Sequence, residues 1–287
     1  MKRTIFATIT AALLLVACTK EVPVYKEYQS SAETTPSSET EYVAMYCNLH
    51  DADASLDLNT LAEYVLGHKP DILLLSGKDD STERLLKAWA EQIATSLGQE
   101  CSTAFTCYTL DANDNLLAIV SRGTSNAFTT LKDETTATRA IYAQYGESYI
   151  LLSALAEGTT QLDNETRQAQ ASYLVNQTID NPSLDGSKWI WAIDMKSPSE
   201  VDNQKYGMDH DPNDTRANYL LKYNGMIDCL AAQSSSYPTT DVNGKRHNFV
   251  YATNLGWQMM SPLTLDTEAA TLLGITNYPI IFTLKSE

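Results

Sequence analysis

Asp209, Asp211 and Asn213 stand at the spacing of the first ligands of a calcium loop, which holds a hard cation through side-chain and backbone oxygens. The stretch departs from that pattern twice. Asp214 occupies the place of the central Gly, and Leu220 stands where a bidentate Glu belongs. A solvated loop in which Asp214 or Thr215 caps the following helix accounts for the same residues. The histidines His50, His68, His210 and His247 are scattered without metal-ligand spacing, and His68 suits the C-terminal end of a helix dipole. Cys47, Cys101, Cys107 and Cys229 show no CxxC or Cys/His pattern for zinc. A Cys101–Cys107 disulfide is open on spacing alone, whereas Cys47 lies among apolar neighbours and reads as a buried thiol. Sixteen Tyr and four Trp could build a sugar-stacking face. Trp189 and Trp191 alternate on a predicted strand and share one face, which packing under a helix explains more simply.

The elements that must position any site alternate between strands and helices in irregular order. Residues 42–48 read as a strand. Residues 57–67 read as a helix with Leu58, Leu61, Ala62 and Val65 on one face. Residues 71–76 form a short continuous apolar run, the signature of a strand buried on both faces. A helix over 81–97 has Ser81 as its cap and Gly98 as its stop. Residues 101–110 and 116–121 make a hairpin around 111–115, and 139–145 with 149–155 make a second around Gly146-Glu147. Further along come a helix over 160–179, a strand over 189–194, and a helix over 216–232 interrupted near Gly225. Strands over 250–253 and 280–284 close the chain.

The stretch from Tyr42 to Gly77 resembles the opening of the endonuclease/exonuclease/phosphatase family, the DNase I-like fold, and the order of strand blocks extends that resemblance over residues 42–287. The resemblance implies an α/β fold: a two-sheet α/β sandwich with outer helices, whose functional groups lie on strand ends at one edge. In that family those groups hold one or two divalent cations and activate water against phosphorus. Compared block by block, Asn48 matches the first-strand Asn, and Asp194 matches the Asp of the Gly-Asp-Phe-Asn block, here Ile193-Asp194-Met195-Lys196. Gly77 stands in place of the metal-binding Glu, Leu155 in place of a His, Lys196 in place of an Asn, and Asn248 within a block that has lost its Asp. Asn277 and Tyr278 replace the closing Asp-His pair. The binding-edge candidates are therefore Asn48, Gly77, Leu155, Asp194, Lys196, Asn248, Asn277 and Tyr278, with no confident catalytic residue among them. A Lys196–Asp194 ion pair can replace the cation. No cofactor is expected, and magnesium or manganese enters only if catalytic groups have been relocated.

Residues 1–17 pair a basic start, Lys2 and Arg3, with an apolar run too short to span a bilayer. Leu15-Val16-Ala17-Cys18 resembles a bacterial lipobox, which implies cleavage before Cys18 and acylation of its thiol. The expected organisation is a lipoprotein signal peptide over 1–17, a lipidated Cys18 with a disordered Ser/Thr/Glu/Pro-rich tether over 18–41, and one domain over 42–287. The expected location is the bacterial cell envelope, at the outer membrane. The chain carries −16 formal charge, and loss of residues 1–17 with their two cations leaves −18. So acidic a surface repels phosphate polyanions, which makes nucleic acid an unfavoured partner. Two function classes remain: a non-catalytic lipoprotein that binds a protein or glycan through the old active-site edge, and a divergent metal-dependent phosphoesterase or hydrolase.

Overall fold

A computed structural model describes residues 40–50, 52, 56–78, 86–112, 115–123, 127–184, 186–199, 202, 215–234 and 238–286. All of them fall within one unit of the chain, Thr34–Glu287. The leader, Cys18, most of the tether, Ser81, and the 209–213 calcium-like stretch lie outside the described residues.

The strands are β1 (Thr40–Asn48), β2 (Ile72–Lys78), β3 (Phe105–Ala112), β4 (Asn115–Arg122), β5 (Phe128–Asp133), β6 (Thr138–Tyr145), β7 (Ser148–Ala154), β8 (Lys188–Asp194), β9 (Ile227–Asp228), β10 (Asn248–Ala252), β11 (Thr264–Leu265) and β12 (Ile280–Ser286). The helices are α1 (Leu58–His68), α2 (Leu86–Glu100), α3 (Gln161–Gln177), α4 (Arg216–Tyr223), α5 (Cys229–Gln233), α6 (Asn254–Gln258) and α7 (Thr267–Leu273). They form two six-stranded sheets, β11-β12-β1-β2-β4-β3 and β5-β6-β7-β8-β10-β9. Each sheet holds one parallel pair, β1 with β2 and β7 with β8. A helix joins each pair, because a parallel connection needs a crossover.

Strand parity sorts the side chains into three layers. Ala44 and Tyr46 of β1, Ile72 and Leu74 of β2, Ile150 and Leu152 of β7, Ile190 and Ala192 of β8, and Val250 and Ala252 of β10 form the core between the sheets. The alternate residues Met45, Cys47, Leu73 and Leu75 face α1, α2 and α7. Leu151, Trp189, Trp191 and Ile193 face α3 and α4. The two Trp therefore pack under helices, as their alternation indicates.

Local signals set some element ends and not others: Gly98, the expected stop of the second helix, is passed, and α2 runs on to Glu100. Thr160 and Asp163 form a reciprocal capping box on α3. The helix expected over 216–232 stops at Tyr223: Gly225 turns the chain at φ +83, and β9 and then α5 follow. All four described cysteines are free thiols, so Cys101 and Cys107 are not bridged. Burial pushes the Cys47 thiol up to about 12, in line with a core role.

Candidate functional site

The same parity that builds the inter-sheet core carries polar residues onto its rim. Two residues beyond Tyr46 comes Asn48, two beyond Ala192 comes Asp194, and two before Val250 comes Asn248. Asn48 is 2 % exposed, and Asp194 and Asn248 are 1 % exposed. Register places Asn248 opposite Asp194 across β8 and β10. Asn277, which precedes β12, joins them from the other sheet.

These side chains satisfy one another. Asn48 Nδ2 donates to Asp194 Oδ2 at 2.8 Å and also to Asn248 Oδ1, while Asn48 Oδ1 accepts from the His50 amide at 2.9 Å. Asn248 Nδ2 donates to Asn277 Oδ1 at 2.6 Å, and Asn277 Nδ2 donates to the His50 carbonyl at 2.9 Å. The network ties the two sheets together at this edge, and each buried amide avoids the cost of an unmade hydrogen bond. Beneath it, burial first and the nearby Asp194 charge second raise the Tyr46 hydroxyl well above its ordinary range.

Lys196 completes the cluster. Its ammonium lies 2.9 Å from Asp194 Oδ2 and 2.7 Å from His50 Nδ1, and its side chain is only 7 % exposed. The His50 Nε2 in turn faces Glu157 at 3.8 Å. Asp194 Oδ1 accepts from the Lys196 amide at 3.1 Å, in a turn that sets Lys196 at φ +53 and aims its side chain back over the strand end.

The cluster opens onto a cavity of about 430 Å³ lined by Asp194, Lys196, Asp241, His247, Thr276 and Asn277, with Glu157 and Lys245 among its remaining walls. Burial holds His247 below the usual imidazole range, against the opposing pull of Asp194 and Asp241. The 156–160 wall is braced from behind. Buried Arg167 donates to the carbonyls of Ala156 at 3.1 Å and Gly158 at 2.7 Å, and Gln170 accepts from the Ala156 amide at 2.8 Å. Gly158 sits at φ +117, where an added Cβ would be strained and would lie 2.2 Å from Asp163 Oδ2, displacing the α3 capping carboxylate.

Of the eight edge candidates, five meet: Asn48, Asp194, Lys196, Asn248 and Asn277. The other three are corrected by parity. Ser76, paired with Asn48, is buried one residue before Gly77, whose Cβ direction is outward, 3.0 Å from Leu49 Cβ and 3.2 Å from Leu86 Cδ1. Leu155 is buried among Leu151, Trp191 and Leu174 in the layer under α3. Tyr278 packs with the layer under α1 and α7. Neither Leu155 nor Tyr278 fills the cavity. The residues that sequence reasoning missed are His50, Glu157, Asp241 and His247. The first lies two residues beyond Asn48 and the last one residue before Asn248, so strand-end position was the available signal.

The donor set does not fit a catalytic divalent cation. Such an ion wants several oxygen ligands, carboxylates foremost. Among the described residues the cluster offers one carboxylate, Asp194, already shared by Asn48 and the Lys196 ammonium. Among the described residues no group of three or more His, Cys, Asp or Glu is placed to hold a metal.

The chain's arrangement is that of the DNase I-like, endonuclease/exonuclease/phosphatase fold. An AP endonuclease from Archaeoglobus fulgidus aligns with it at TM-score 0.62 and 15 % identity, over 85 % of this chain and 99 % of that one. The human Nocturnin catalytic domain aligns at 0.59 and 12 %, over 86 % and 95 %. An endonuclease/exonuclease/phosphatase family protein from Bacteroides thetaiotaomicron aligns at 0.57 and 10 %, over 87 % and 96 %. Identities this low carry the fold alone. No protein-family model and no curated protein sequence matches the chain.

Proposed function

We propose that this protein is an envelope lipoprotein, anchored through acylated Cys18, that uses the DNase I-like fold as a binding module and lacks metal-dependent phosphoester cleavage. The observation that carries this reading is the Lys196 ammonium 2.9 Å from Asp194, the cluster's one carboxylate among the described residues. The close packing at buried Gly77 against Leu49 and Leu86, where the family resemblance expects a metal-binding Glu, supports it. The cavity beside Lys196 takes the ligand, a protein segment or a glycan, through its mixed ammonium, carboxylate, amide and hydroxyl lining. The formal charge of −16 opposes a nucleic acid in that role, although endonucleases are among the structural neighbours.

A second reading is a hydrolase with relocated groups. His50 and His247 favour it, since both imidazoles stand near Asp194 and Lys196 and the second is held neutral in the cavity wall. One preparation separates the readings. Purified protein is assayed against phosphodiesters and phosphomonoesters with magnesium, manganese and calcium, beside Asp194→Ala, and is partitioned between detergent and water beside Cys18→Ser. We expect no metal-dependent turnover and transfer of the Cys18→Ser form to the aqueous phase. Metal-dependent turnover abolished by Asp194→Ala establishes the second reading, and unchanged partitioning removes the lipid anchor.

A further inference from the structure

Asp194 is nearly sealed from water, and a buried carboxylate requires a positive partner or protonation. Long lysines at the mouth of a cavity ordinarily extend to solvent. Lys196 instead folds back, with 7 % of its side chain exposed. Three contacts set that path: the left-handed backbone at φ +53, the 3.1 Å bond from its amide to Asp194 Oδ1, and the 2.7 Å approach of its ammonium to His50 Nδ1. The ammonium and the Asn48 amide share one oxygen, Asp194 Oδ2, and the Lys196 backbone amide meets the other, Oδ1.

We propose that Lys196 is a tethered cation standing where a metal ion would sit beside Asp194. It pairs with Asp194 in place of a metal and makes binding in the adjoining cavity independent of metal. Removing the ammonium converts the Asn48–Asp194–Asn248–Asn277 cluster into a weak site for a small cation. This holds whichever ligand the cavity takes.

The test is thermal unfolding of the full chain in detergent at about pH 8, where an ordinary imidazole is neutral. Wild type, Lys196→Ala and Lys196→Arg are compared with ethylammonium, with manganese, and with sodium at equal ionic strength. Lys196→Ala is expected to lower Tm by about 5–15 °C, because it leaves a buried carboxylate unpaired. Ethylammonium or manganese then restores about 2–5 °C of that loss, as a ligand of the folded state alone does. Wild type and Lys196→Arg, which keep a cation in place and share the same backbone demand, do not respond beyond sodium. An undiminished Tm in Lys196→Ala, equal responses in wild type and variant, or no response from either overturns the proposal. Should Lys196→Ala fail to fold, Lys196→Gln serves, read by manganese paramagnetic resonance. Manganese uptake above wild type supports the tethered cation, and uptake equal to wild type sinks it. Metal-independent hydrolysis by wild type would overturn the proposed function and leave this inference standing.

Discussion

Two ion clusters are buried at strands of the second sheet and the loops beside them, and they have been put to different uses. Arg246 has no exposed side chain surface and holds two carboxylates, Asp202 at 3.1 Å and Asp228. Its guanidinium lies 4.6 Å above the Phe249 ring. Asp202 also accepts from the Ser199 amide at 2.8 Å and hydroxyl at 2.6 Å, and Asp228 caps α5 by accepting from the Ala231 amide at 3.2 Å. That cluster ties loops to a sheet and does not line the cavity. The Asp194–Lys196 pair is built one charge to one, reaches the two asparagine-bearing strands β1 and β10, and forms part of the cavity wall. The comparison separates a buried charge that fastens the fold from one that is presented at a site. Arg suits the first task because its rigid fork binds two partners at once, and Lys suits the second as a compact point charge.

The largest effect that tests this contrast is Arg246→Met. Two buried carboxylates lose their partner, so we expect a loss of about 3–5 kcal/mol, seen as a lower urea midpoint at unchanged slope. A smaller loss than that of Lys196→Met would reverse the two roles. Gly77→Ala probes the close packing of Gly77 against Leu49 and Leu86 beside the site. The added Cβ meets Leu49 Cβ at 3.0 Å, and overpacking of this kind costs about 1–3 kcal/mol in the same measurement. A neutral result would mean that a side chain can be restored at this strand end. The smallest effect concerns His247. Its pKa is lowered on folding from the ordinary 6.5, so the unfolded chain binds the proton more readily. The His247 contribution therefore favours the folded state at neutral pH, falls away as pH drops below about 6.5, and levels off below the folded-state pKa. His247→Gln should flatten that part of a stability profile taken from pH 5 to 8. An unchanged slope would place the titration elsewhere.

The sequence carried more of the strands than of their neighbours in space. A continuous apolar run made β2 legible, the alternation of Trp189 and Trp191 made β8 legible, and β1, β7 and α3 were placed with nearly their observed bounds. The edge strand β5 and the two-residue strands β9 and β11 were missed, because they are too short or too polar for a period to register. Residue types located Asn48 and Asp194, and their meeting follows from the fold, since 146 positions separate them along the chain. Gly77, Leu155 and Tyr278 show where residue-by-residue comparison misleads. Each lies beside the edge in sequence, yet a one-residue step along or beyond a strand points a side chain to the opposite face.

The family resemblance implied which carboxylates and imidazoles are replaced at the edge, whereas composition and pattern by themselves determined the α/β class and the acidic charge. Those properties depend on residue type and local spacing alone. Tertiary structure decided which side chains share the rim, that Lys196 returns to Asp194, and that His50 and His247 join them. Such contacts form only when two sheets close on each other and bring distant strand ends within hydrogen-bond reach, and no local period encodes that distance.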